Sequence, residues 1–341
     1  MKNRKKFMAF ILVGVILLTS GCGSDDYLKD EKGQILINET TGQSVRKDIL
    51  CQPSKDSELY NIYLEHKDQM KKSVEELPTC EEFNLSTNEY NGLWEALLVR
   101  PLAWIIIQLG RLLGNAGISV MLVGLLIRFI LLPLTVKSMR QSTSMQKAQP
   151  EIMRIEKKYA GKTDSESMMA KSQETMMIYQ KYKINPVAGC LGALIQIPIF
   201  FAFLSAINEV PAIFEGNLFG MNLGMTPWKG LSQGEYIYIG LIFLIVATTY
   251  FSFKNTMKSN QNNEMMQQMN TMMIFMIVSI SIASFSLPTA IALYWIVVNA
   301  FAVFQNYMVK RILANDEKKS SKTIDTKERK KGNIKKKKEV K

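Results

Sequence analysis

Between residues 117 and 309 the chain carries five apolar runs, over about 117–136, 187–207, 235–253, 270–286 and 289–309. Each is near the ~20 residues that a helix rising 1.5 Å per residue needs to cross ~30 Å of hydrocarbon. The sequence therefore reads as an all-α integral membrane protein with five transmembrane helices. Asn185-Pro186 opens the second run and Pro198 kinks it. Leu287-Pro288 leaves only a tight turn between the last two, which must pack as an antiparallel hairpin. The mean hydropathy of +0.01 hides this division, because other windows are nearly all charge.

Lysines and arginines orient the spans. Ten of them lie between Lys137 and Lys183, whereas the loop 208–234 has only Lys229 beside Glu209 and Glu215. The loop 137–186 and the lysine-rich tail 310–341 therefore face the cytoplasm, and the first span runs from outside to inside. The N-terminus agrees. MKNRKKFMAFILVGVILLTSGC has the basic start and apolar run of a secretory signal over 1–21. Its Thr-Ser-Gly-Cys ending resembles a bacterial lipobox, with Cys22 as the acylated (palmitate-bearing) mature terminus. An uncleaved anchor helix is the alternative. Both readings place the chain in the cell membrane, its N-terminal part outside and its C-terminus in the cytoplasm.

The exported region 22–92 is acidic and polar and predicts a small, partly ordered pendant. It holds Cys51 and Cys80. An oxidising outside permits a disulfide between them, and two free thiols are the other reading. Residues 93–113 are apolar but interrupted by Glu95, Arg100 and Arg111, with Trp94 and Trp104. This predicts an amphipathic helix on the outer leaflet, broken after Leu113 by Gly114-Asn-Ala-Gly. The loop 137–186 predicts a helical hairpin with arms at about 138–160 and 164–183. A break or kink is expected at Pro150, and Thr163 and Glu166 have capping-box spacing. The arms lack a strong apolar stripe, so they are expected to hold each other weakly.

One charge stands inside the first run. In SVMLVGLLIRFILLPLTV, Arg128 is near the middle of 117–136, where a charge costs roughly 2.5–3.5 kcal/mol on insertion scales. From mid-span it would have to climb about 15 Å to reach an interface, which is more than its side chain can do. The five cores hold no carboxylate to pair with it. What remains is a hydrated cavity in the membrane. Gln196, Ser279, Ser281, Ser284, Thr289, Tyr294, Trp295 and Asn299 are polar side chains able to line it.

Three motifs now bear on function: IRFILLPLT at 127–135, NPVAGCLGALIQIPIFFAF at 185–203 and LPTAIALYWIVVN at 287–299. Together they resemble the YidC insertase family of bacteria, related to the Oxa and Alb insertases of organelles. The likeness covers roughly 93–310. The lipoprotein start and small outer region are similar to Gram-positive members. The family often has Gly at the positions of Thr289 and Ala290 and Asn at that of Val298. The resemblance implies insertion and folding of nascent membrane proteins, alone or with the Sec translocon, without nucleotide hydrolysis. It also implies a hydrophilic groove with Arg128, Gln196 and Trp295 in its wall, and Tyr294 and Asn299 nearby.

Met265, Met269, Met272, Met273 and Met276 share one helix face at the cytoplasmic entrance of the fourth span. Met168, Met169, Met176 and Met177 recur in the hairpin. Either set suits varied apolar substrate segments, or ordinary packing. The tail, with Lys335–Lys338, suits ribosomal RNA, anionic membrane lipids or topology alone. His66 is the only histidine and no metal-ligand spacing occurs, so no metal, cofactor or enzymatic activity is expected. A transporter or channel is the competing class. It would need paired ionisable residues along a full path or an internal repeat, and a membrane protease would need a nucleophile with its base.

Overall fold

The computed structural model describes residues 26–86, 92–185, 198–257 and 264–339. It gives backbone alone at 255–257, 264–270, 272, 273, 276, 314 and 316–339. The chain divides into two units, residues 1–130 with 193–299 and residues 131–192 with 300–341.

The outer region is folded, not a pendant. Antiparallel bridges join Tyr27 to Arg46, Lys29 to Ile35 and Ile37 to Ser44. The turns between them are set by side chains. Asp30 Oδ1 accepts from the amides of Lys32 and Gln34, and Asn38 Oδ1 accepts from those of Thr40 and Thr41. Helix α1 (Glu58–Glu65) starts at Ser57, whose hydroxyl accepts from Tyr60 N. Leu28, Val45, Ile49, Leu59, Tyr60, Tyr63, Val74 and Leu77 bury into a small core. These residues are spread over fifty positions among charges, so no window of the sequence reads as apolar. Cys51 and Cys80 form a disulfide, their Cα atoms 4.8 Å apart. Beside it Leu50, Cys51 and Phe83 leave this small core and join the main one.

In the same unit, a π turn over Glu95–Val99 leads into α2 (Arg100–Leu113). Helix α2 buries Ala103, Ile106 and Ile107 and exposes Leu112 and Leu113. Gly114, at φ 65°, ends it. Helix α3 (Ala116–Ile130) folds back against α2. The Ser119 hydroxyl donates to Ile106 O, and the Asn115 side chain accepts from Ile118 N. Past α3 the next helix in this unit is α6 (Pro198–Asn208).

The loop 208–234 is a packed cap. Val210, Ile213, Phe214, Leu223 and Met225 are buried in it. A two-residue hairpin pairs β1 (Asn217–Leu218) with β2 (Met221–Asn222). Its turn, Phe219-Gly220, has positive φ at both positions, as a type I′ turn requires. Helix α7 (Ile237–Met257) follows and packs on α8 (Glu264–Ala283). Helix α9 begins at Thr289 and runs to Glu339. The expected end of the last span at 309 is not a helix end. No proline interrupts 289–339, and Lys, Glu and Ala are good helix formers.

The second unit contains the hairpin. Helix α4 (Leu132–Lys158) runs through Pro150 without a break, which leaves the kink as the surviving half of that expectation. The neighbours Ala148 and Ile152 are buried beside the proline. Helix α5 (Ser165–Lys181) is capped by Asp164, not Thr163: Asp164 Oδ2 accepts from Ser167 N at 2.8 Å. The arms share a seam of Ala148, Ile152, Ile155, Ile178 and Ile184. Lys158–Glu174 and Lys181–Glu151 pairs flank it at 2.5 and 2.6 Å. The expectation of arms without an apolar stripe missed this seam, because its buried residues are few: Ala148, Ile152 and Ile155 from α4, Ile178 from α5, and Ile184 just beyond it.

Among the described residues three helices are long and apolar enough to cross a membrane: Glu95–Leu113, Ile237–Lys254 and Thr289–Leu313. A fourth results if α3 and α4 together count as one span. The protein is an all-α membrane protein. Most of the second expected span, 187–197, lies outside the described residues.

Candidate functional site: a polar wall between apolar helices

The site starts at a missing side chain. A Cβ at Gly124 of α3 would lie 2.6 Å from Cδ2 of Tyr294. The bare backbone therefore lets the Tyr294 ring of α9 lie directly on α3. The same ring meets Phe203 of α6 at 4.3 Å between centroids. Tyr294 is thus buried where three helices meet. It is a packing centre as well as a polar group.

Arg128 is four residues beyond Gly124, on the same face of α3. It lies within electrostatic reach of the Tyr294 hydroxyl. Its Nε is buried and donates to no described group. Among the described residues no carboxylate is within ion-pair distance of it. Helix α3 ends at Ile130 and a new helix starts at Leu132, so Arg128 stands in the last turn of α3 and the expected single straight helix is broken. Pro133 explains the break: it lacks an N–H and crowds the residue before it, so helices end near it.

Trp295, next to Tyr294, stacks on Phe200 of α6 at 5.6 Å and 29°. Gln196 lies outside the described residues. Asn299 is buried, and its Nδ2 donates to Thr249 Oγ1 of α7 at 3.0 Å. This bond ties α7 to α9. Thr249, Gly124, Phe200 and Phe203 were not singled out from the sequence. The pair Thr248-Thr249 inside an apolar run was the available sign for the first.

Of the other polar candidates, Ser281, Ser284 and Thr289 are spent elsewhere. The hydroxyls of Ser281 and Ser284 donate to Ile277 O and Ser281 O of their own helix. The Thr289 hydroxyl donates to Met225 O in the cap. The structure thus brings Arg128 and Tyr294 together, with Trp295 next to Tyr294 and Asn299 on the following turn of α9. Of the methionines, Met168, Met169, Met176 and Met177 are exposed on α5. The side chains of Met265, Met269, Met272, Met273 and Met276 lie outside the described residues. Cys22 does too.

Among the described residues, Arg128 is thus a buried cation without an acid, with the Tyr294 ring in reach. The comparisons with known proteins place the chain in a family. Residues 108–317 match the model of the 60Kd inner membrane protein family. The membrane protein insertase YidC of Oceanobacillus iheyensis is 34% identical over 240 residues, which cover 69% of this chain and 91% of the relative. The insertase MisCA of Bacillus subtilis is 37% identical over 219 residues, or 64% and 79% of the two chains. YidC 2 of Bacillus anthracis is 34% identical over 233 residues, or 68% and 87%. The chain belongs to the YidC/Oxa/Alb family of membrane protein insertases.

Proposed function

We propose that this membrane protein insertase passes the short polar tail of each substrate along a hydrated groove walled by Arg128, Gln196, Tyr294, Trp295 and Asn299. The observation that carries this reading is Arg128. Its buried Nε lacks a hydrogen-bond partner and its charge lacks an acid, among the described residues. A substrate tail cannot readily drag polar groups through hydrocarbon. A wet path shortens that crossing, and Arg128 supplies a transient partner for an acidic tail. The apolar segment of the substrate then leaves sideways into lipid, driven by hydrophobic transfer. No covalent step and no cofactor enters this scheme.

The same reading assigns five spans, with α2 lying in the outer interface. The N-terminus is outside and acylated at Cys22, and the C-terminus is in the cytoplasm. Nascent membrane proteins are the substrates, and the methionines of α5 and at the start of α8 receive their apolar segments. The Sec translocon, the ribosome and anionic lipid are the proposed partners.

The test is insertion of a single-span substrate with an acidic tail into proteoliposomes. A hydrogen bond to a charged group contributes about 1.5–3 kcal/mol. Arg128→Ala should therefore slow insertion about tenfold or more, and Arg128→Lys should retain most of it. Equal insertion by wild type and Arg128→Ala would remove the charge from the mechanism.

A further inference from the structure

The outer region grips the cap along its length. At one end Arg46 pairs with Glu209 at 3.4 Å, and Leu50 N–H donates to Glu209 O at 2.8 Å. Further along, Ser54 donates from N and Oγ to the Glu215 carboxylate at 2.8 and 2.6 Å. Towards the far end Thr226 N–H donates to Thr41 O at 2.8 Å. Gly42 makes that last contact possible, since a Cβ there would lie 2.6 Å from Thr226 Oγ1.

The cap in turn closes the outer end of α9. The first N–H groups of a helix have no partner inside it. Here Thr289 N–H donates to Met225 O at 3.0 Å, and Ala290 N–H donates to Leu223 O at 2.9 Å. Trp228 N–H donates to Phe285 O at 3.0 Å, just before α9 begins. The cap thus takes the places that water would hold at an open helix end. It does so little more than one turn from Tyr294.

We propose that residues 26–85 are an outer seal: they clamp the cap onto the start of α9, so that the polar interior has no opening to the outside. The proposal rests on the groove reading, because a seal matters only if there is a wet space to close. It gives the outer region a task distinct from substrate binding, which is to keep protons and small ions from leaking while substrates enter from the cytoplasm.

A pair of glycines allows a controlled test in the full-length protein. Gly42 and Gly33 have nearly equal positive φ, +72° and +75°. A side chain strains the backbone equally at both, but only at Gly42 does it strike the cap, since Gly33 faces open space. Proteoliposomes loaded with a pH-sensitive dye read proton leak, and hydrogen exchange reads the Thr226 amide. Gly42→Val should speed exchange at Thr226 and raise the leak, each about tenfold, while Gly33→Val leaves both near wild type. Faster exchange without leak would overturn the seal. So would unchanged exchange, or equal leak from Gly33→Val. Should Gly42→Val fail to fold, Arg46→Gln combined with Ser54→Ala loosens the same grip without backbone strain, and the same two readouts decide. Failure of the groove itself is read separately, as unchanged insertion by Arg128→Ala.

Discussion

Glu209 is buried where the outer region meets the cap, and burial pushes its carboxyl up to about 8. Arg46 pulls the other way, while Glu95, Asp48 and Asp26 add to the rise. Because this value exceeds the usual 4.5, the folded protein holds the proton more tightly than the unfolded chain. The stabilisation is complete below about 4.5 and is lost as pH rises through about 8. Thermal unfolding followed between pH 6 and 9 should therefore fall more steeply with pH for the wild type than for Glu209→Gln. Equal slopes would mean that Glu209 stays ionised throughout. Nothing in the sequence marks this carboxylate, since its burial depends on Arg46, 163 residues away. Arg128 is the opposite case. Its cost inside an apolar run was legible at once, because the bilayer penalises charge wherever the chain places it. Its place at a helix end was not read, although Pro133 was there to mark the break.

At the level of elements, α7 and the apolar part of α9 were legible from length, since a bilayer imposes a minimum run, whereas Glu95–Leu113 also has that length though its charges read as interfacial. The hairpin was legible as two arms but not as a packed pair. Its seam is made by isolated isoleucines, and its register is set by the Asp164 cap and the Gly161 turn at φ +77°. Ile152 is buried at the centre of that seam. Ile152→Ala should cost the hairpin about 2–5 kcal/mol, seen as faster protease cutting near 159–164. Met169, 62% exposed on α5, is the control: Met169→Ser should stay within about 0.5 kcal/mol. Equal cutting of the two variants would mean that the seam contributes nothing.

Taken whole, the molecule shows where pattern reading stops. Charge counting gives the spans an expected orientation because short loops obey electrostatics locally. The outer region was misjudged because its core comes from scattered residues closed by one disulfide and by contacts to a distant loop. The cap was missed for the same reason. The basic end of α9 extends far past the apolar residues, carrying Lys335–Lys338. Binding through such a segment is electrostatic and salt-sensitive. Truncation after residue 312 should abolish co-sedimentation with ribosomes at low salt, and the full chain should release them as salt rises. Ribosome binding that survives truncation would leave the segment to lipid or to topology.

The ring of Tyr294 on the bare backbone of Gly124 has a mechanical consequence. Two helices that touch this closely can neither approach further nor part without unseating the ring. The spacing of α3 and α9 at this crossing is therefore set by one ring, and any side chain at position 124 would force the two helices apart.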